Sequence, residues 1–133
     1  MPDTDDSTVR VMIIDDEEFS RKFVTRLLKT IAIEQVHTAD SGVDALAQLA
    51  EPGTDIDLII CDIEMPEMTG YEFVRQIRYG TVPRFKDVPI LILTSYATEK
   101  NVQLARTHKI NGFVTKPPTA DMLRVEIHNA LGH

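Results

Sequence analysis

The sequence predicts an α/β domain in which a doubly wound, five-stranded parallel sheet carries helices on both faces, with strand order 2-1-3-4-5. Three observations predict it. Short apolar runs at residues 9–14 (broken only by Arg10), 58–61 and 90–93 are bounded by polar residues or proline, as strands buried on both faces are. Segments of helical periodicity separate these runs, so that strand and helix alternate five times. The composition agrees: 43% of residues are apolar but only 6% are aromatic, and tryptophan is absent, so the core must be mostly aliphatic. A length of 133 residues suits one domain.

Taken in order, residues 1–8 (MPDTDDST) read as a disordered acidic tail ahead of a domain spanning 9–131. The first strand is VRVMII. Glu17 and Glu18 follow it as dipole-favoured surface acids in a first helical turn, and Phe19, Phe23, Leu27 and Ile31 recur at helical spacing. A weaker strand, 35–38, precedes "SGVD" at 41–44, a capping box that opens a second helix with Val43, Leu46, Ala47 and Ala50 on one face. After strand 58–61, "TGYE" at 69–72 opens a third helix, which continues with Phe73, Val74 and Ile77. Strand 90–93 leads to a fourth helix from near Thr98, which Asn111-Gly112 should end as a left-handed cap. Strand 112–115 and a fifth helix from near Thr119, with Leu123, Ile127 and Ala130 on one face, complete the domain.

Charge and cysteine content narrow the function. The net charge is −7; without Asp3, Asp5 and Asp6 of the tail the remainder is still acidic, which argues against broad nucleic-acid or anionic-membrane binding. Cys61 is the only cysteine, so an intramolecular disulfide is excluded, and the residue reads as a small core side chain. No signal-peptide pattern opens the chain, and no apolar run approaches the ~20 residues of a membrane span, so a soluble, cytoplasmic protein is expected. His37, His108, His128 and His133 show no metal-ligand spacing.

A sheet of this order opens its ligand crevice at the carboxyl ends of strands 1 and 3. Strand 1 ends in Asp15-Asp16 and strand 3 in Asp62, so three carboxylates converge. Strands 4 and 5 bring Thr94 and Lys116 to the same rim. Two carboxylates ~4 Å apart repel by roughly 4 kcal/mol at an effective dielectric near 20. A divalent cation relieves that repulsion, and oxygen-only ligands favour Mg²⁺ or a similar hard ion. A metal, a carboxylate nucleophile, a lysine and a hydroxyl are the parts needed to accept a phosphoryl group. Read singly, each part is ordinary. Asp15 and Asp16 could cap a helix, Asp62 and Thr94 could end strands, Lys116 could be a solvated lysine, and Pro66 and Gly70 are loop punctuation. The third acid arriving from strand 3 favours the joint reading.

In "MIIDDEE", "CDIEMPEMTG", "LILTS" and "GFVTKP", in this order and spacing, residues 9–131 resemble the receiver domain of two-component response regulators, a flavodoxin-like fold. The resemblance implies a regulatory domain that promotes only its own phosphorylation and dephosphorylation. Asp62 would be the phospho-acceptor, Asp16 a direct Mg²⁺ ligand, Asp15 a ligand mainly through water, and the Glu64 backbone carbonyl a further ligand. Lys116 would pair with the phosphoryl group, Thr94 would be the switch hydroxyl and Phe113 the aromatic switch. Glu64 and Tyr96 would flank the phosphoryl group, Tyr96 being large enough to exclude water and lengthen its lifetime. The Lys116–Pro117 bond is expected to be cis. A histidine kinase or phosphotransfer protein would be the donor, and a downstream protein or output domain would read the face of helix 4, strand 5 and helix 5. The chain would be a single-domain regulator of chemotaxis or phosphorelay type, or the receiver of a larger regulator with an output domain. Two rivals fare worse. An Asp-nucleophile phosphatase wants Asp-x-Asp after strand 1, and a flavin phosphate would be repelled by four acids there.

Overall fold

The computed structural model describes residues 8–95, 103, 107 and 109–132. The strands are β1 (Arg10–Ile14), β2 (Gln35–Ala39), β3 (Leu58–Asp62), β4 (Ile90–Thr94) and β5 (Gly112–Thr115). The helices are α1 (Glu18–Thr30), α2 (Gly42–Ala50), α3 (Gly70–Arg78) and a C-terminal α4 (Ala120–Leu131). All neighbouring strands pair in parallel, in the order β2-β1-β3-β4-β5, as the alternation predicts. Nearly all of the tail lies outside the described residues, as does most of the helix expected from near Thr98, of which Gln103 and Thr107 are helical.

Every residue of β3 and β4 is buried. Alternate side chains feed two aliphatic layers. Met12, Ile14, Ile59, Cys61, Ile90 and Ile92 pack with α2 and α3, whereas Val11, Ile13, Ile60, Leu91 and Leu93 pack with α1 and α4. Phe73, Val74 and Ile77 of α3 are buried, and so are Leu123 and Ile127 of the face expected for α4.

Two helices sit differently from the sequence reading. In α1 the buried residues are Val24 and Leu28, while Phe19 is 80% exposed and stacks on Phe23 with ring centroids 6.4 Å apart. In α2 they are Gly42, Ala45 and Leu49, with Val43 52% exposed. Each helix is turned by about one residue, ~100°, from its predicted face. Both carry further apolar residues along one flank of the true stripe, and periodicity alone does not fix the stripe's centre.

The capping residues are those expected. Ser41, Thr69 and Thr119 accept from the backbone N–H groups of Asp44, Glu72 and Met122. The left-handed residue before β5 is Lys109 (φ 58°), not Asn111 or Gly112. Asn111 acts through its side chain: Oδ1 accepts from Ile90 N at 2.8 Å and from Arg78 Nη2 at 3.2 Å. Arg78 also donates to the carbonyls of Lys86, Val88 and Lys109, tying the end of α3 to the starts of β4 and β5.

Candidate functional site

The carboxyl ends of β1, β3, β4 and β5 form the rim. Asp15 continues the β1 ladder by one residue, its N–H donating to Ala39 O at 3.1 Å. Its Oδ1 accepts from Glu17 N at 3.0 Å and its carbonyl accepts from Arg21 Nη1 at 2.7 Å. Its Oδ2 is buried, accepts no hydrogen bond, and faces Lys116 Nζ at 3.7 Å. Asp16 is exposed. Asp62 closes β3, one residue beyond the Cys61–Ile14 pairing, and its Oδ1 lies 3.0 Å from Lys116 Nζ. One carboxylate oxygen from each of Asp15, Asp16 and Asp62 lies within 4.8 Å of the others. The structure therefore brings together the three acids and the lysine that the sequence singles out.

Lys116 follows β5, with its N–H donating to Thr94 O at 2.8 Å, which holds the ends of β4 and β5 in step. The Lys116–Pro117 bond is cis, as the resemblance implies. Thr94 is buried at the end of β4. Phe113 is partly buried against the α2–α3 layer. Glu64 is exposed and lines the cleft, and Tyr96 lies outside the described residues. The cleft, of about 260 Å³, is lined by Glu17, Asp62, Ile63, Glu64, Thr94, Ser95 and Lys116.

Three of the residues around the acids carry more than the sequence reading gave them. Glu17, read as an ordinary surface acid, lines this cleft and makes no side-chain cap hydrogen bond to α1. Gly70, read as punctuation, is a close-packing residue: its N–H donates to Ile63 O at 2.7 Å, and a Cβ there would run into the Asp62 carbonyl oxygen. Arg21 had no distinguishing sequence signal, since a basic residue on an amphipathic helix is common. Gly70 had one: a glycine as the first residue of a helix, after an N-cap, allows close backbone approach.

Burial pushes the Asp15 carboxyl above the usual carboxylate range, against the hydrogen bond from Glu17 N and the charge of Lys116. Burial likewise raises Asp62, against its hydrogen bond with Lys116 and with the aid of the Asp15 charge. For Lys116 burial favours the neutral amine, but the pairing with Asp62 and Asp15 outweighs it and holds the ammonium above its ordinary value. Taken together, two buried carboxylates share one ammonium, and Asp16 adds a third negative charge. The pairing secures the lysine's proton without meeting the needs of the acids. A hard divalent cation fits this donor set: all donors are oxygens, their spacing suits one ion, and Asp15 Oδ2 is a buried lone-pair site with no hydrogen bond. Burial also raises the Cys61 thiol far above its usual range, so it is inert beside the site.

Comparison with known proteins agrees with this geometry. The profile of one protein family, described as the response regulator receiver domain, matches residues 11–128. The chemotaxis protein CheY of Pseudomonas aeruginosa is 31% identical over 90% of this chain and 93% of that protein. CheY1 of Helicobacter pylori is 29% identical over 93% of this chain and 98% of that protein. Among solved structures, the chemotaxis protein CheY4 of Vibrio cholerae superposes with a TM-score of 0.82 at 32% identity, covering 92% of this chain and 98% of that one.

Proposed function

The chain belongs to the response regulator receiver domain family, and from that premise we propose that it is a phosphorylation-driven switch with Asp62 as acceptor and Mg²⁺ as cofactor. The observation that carries the reading is the placement of Asp62 at the rim of a buried sheet, paired with Lys116 at 3.0 Å and clustered with Asp15 and Asp16.

The chemistry follows from these residues. A carboxylate oxygen of Asp62 attacks the phosphorus of a phosphohistidine. An O–P bond forms as the P–N bond breaks, and the leaving imidazole nitrogen takes up a proton. Attack requires Asp62 to be ionised; its burial opposes this and the Lys116 ammonium favours it. Lys116 then stays beside the phosphoryl oxygens as their fixed counter-charge. Asp15, Asp16, Asp62 and the Glu64 carbonyl would hold the ion. When bound, Mg²⁺ supplies neutralisation of the charge on the transferring group.

The donor on this reading is a histidine kinase or phosphotransfer protein. The new dianion shifts a two-state equilibrium in which the Thr94 hydroxyl moves toward a phosphate oxygen and Phe113 turns inward. The surface that reports the change includes β5 and α4, where Val125 is 50% exposed, together with the segment preceding β5. The reader is a downstream protein or output domain, in keeping with relatives named as chemotaxis proteins. Among the described residues no helix is long and apolar enough to cross a membrane.

The reading is tested by incubating the chain with acetyl phosphate and Mg²⁺ and resolving the phosphorylated form on phosphate-affinity gels. Labelling is expected for the unaltered chain and none for Asp62→Asn. Undiminished labelling of Asp62→Asn would sink the acceptor assignment.

A further inference from the structure

We propose that Arg21 is a positioning residue that gives the acidic cluster its preference for Mg²⁺ over larger cations. The inference rests on the reading of that cluster as a metal site, and it concerns a side chain on α1 rather than the rim itself.

Only residues 15–17 connect β1 to α1. Within that connection Asp15 is held at its N–H by Ala39 O and at Oδ1 by Glu17 N. The second bond closes a ring that spans the Asp15–Asp16 peptide and restrains it, but neither bond grips that peptide's own carbonyl or N–H. The Asp15 carbonyl is the handle of that plane, and Arg21 Nη1 holds it at 2.7 Å. This is at the short end of the N–H···O range, as a charged donor gives. Arg21 is itself anchored in the helix. Its N–H donates to Glu17 O at 3.1 Å, and its carbonyl accepts from Thr25 Oγ1 at 2.7 Å.

The consequence falls on Asp16. Asp15 is buried and packed in place, but Asp16 is exposed, so its carboxylate goes where its backbone points. Fixing the plane between them fixes the distance between their donor oxygens. Mg²⁺ demands a near-ideal octahedron, whereas Ca²⁺ accepts irregular shells of six to eight oxygens. Loosening the plane should therefore harm Mg²⁺ binding more than Ca²⁺ binding. The guanidinium charge acts in the other direction, because it repels any cation, and by the same sign for both ions.

Two variants separate these effects. Arg21→Lys keeps the charge and helix propensity but replaces the rigid fork with a flexible ammonium; Arg21→Met removes the charge as well. Calorimetric titration with Mg²⁺ and with Ca²⁺ reads the two affinities, and thermal melts report folding separately. Both variants are expected to bind Mg²⁺ about tenfold more weakly, as loss of an outer-shell partner does, with Ca²⁺ affinity changed far less. Equal losses for the two ions would reveal a merely structural role. Wild-type affinities in Arg21→Lys with tighter binding of both ions in Arg21→Met would reveal a purely electrostatic one. Either result overturns the proposal while leaving the metal site standing. Should Arg21→Met fail to fold, the Mg²⁺-to-Ca²⁺ ratio of Arg21→Lys decides alone. No Mg²⁺ binding by the unaltered chain would instead overturn the metal reading itself.

Discussion

Lys116 Nζ stands 3.0 Å from Asp62 Oδ1, reaching from the end of β5 past β4 to the end of β3. The lysine's stem is largely buried, its side chain 21% exposed, so the ammonium is aimed by its packing. Replacing Lys116 with alanine should therefore leave Asp62 beside Asp15 with no cation between them, and its carboxyl should rise further. Phosphorylation is expected to weaken markedly in Lys116→Ala while Mg²⁺ binding is largely kept. Phosphate-affinity gels and calorimetry read the two. Unchanged labelling would show that the pair is structural only.

Asp15 gives the sharpest pH prediction. Its folded carboxyl lies above its ordinary value of 3.8, so the metal-free fold holds this proton more tightly than the unfolded chain does. The associated stability is fully present below that ordinary value and is lost as pH rises through the folded value. At pH 7 the ionised group therefore opposes folding. Asn at this position keeps an oxygen to accept from Glu17 N and removes the charge. Asp15→Asn should stabilise the metal-free protein by on the order of 1 kcal/mol at neutral pH. That advantage should shrink as pH falls toward 4. Asp57, held low against its burial by hydrogen bonds from Arg10, slopes the opposite way in both proteins and so cancels from their difference. Denaturant melts in a chelator across this range check it, and a difference independent of pH would contradict it.

Added Mg²⁺ should stabilise the same protein. At 100 times the dissociation constant the gain is about 2.7 kcal/mol. For a domain of this size that corresponds to a rise in Tm of on the order of 10 °C. A midpoint unmoved by millimolar Mg²⁺ and by Ca²⁺ would count against an ion site at Asp15, Asp16 and Asp62.

Glycines at two helix starts should differ in cost. A Cβ at Gly70 meets the Asp62 backbone, which has no room to yield, whereas at Gly42 it meets the Met68 thioether at 2.6 Å, a side chain that can swing away. Gly70→Ala is expected to cost about 1–3 kcal/mol and Gly42→Ala distinctly less. Equilibrium unfolding ranks them, and equal costs would refute the close-packing role of Gly70.

The exposed aromatic of α1 should be dispensable for folding. Phe19→Ser is expected to change stability by no more than about 0.5 kcal/mol, against about 2–5 kcal/mol for Leu28→Ala in the buried stripe. A large loss from Phe19→Ser would mean that the face of α1 inferred from burial is wrong.

The elements legible in the sequence were those whose signal is local. The parallel sheet followed from alternation, and β1, β3 and β4 fall within a residue of the apolar runs because strands buried on both faces carry few polar residues. Asp15, Asp16, Asp62 and Lys116 were legible because each closes a strand or lies within two residues of its end, so topology brings them together. The burial faces of α1 and α2 were not legible: the stripe's centre depends on how each helix rolls against the sheet. Arg21 was missed, and Glu17 and Asn111 were given other roles, for a related reason. Their partners are backbone atoms or cleft walls whose positions exist only after folding.

The sheet order sets β3 between β1 and β4, with Asp62 at its tip. Asp15 and Asp16, which on the proposed reading would ready Asp62 for its cargo, follow β1 on one flank. The Thr94 hydroxyl, which on the proposed reading would register the arrival of that cargo, and Lys116, which is paired with Asp62, come from β4 and β5 on the other. Loading and reporting would then fall to opposite neighbours of a single strand. On that reading one flank could diversify for a new donor while the other diversifies for a new listener, provided the contacts they share, at Asp62 and between Lys116 and Asp15, are kept.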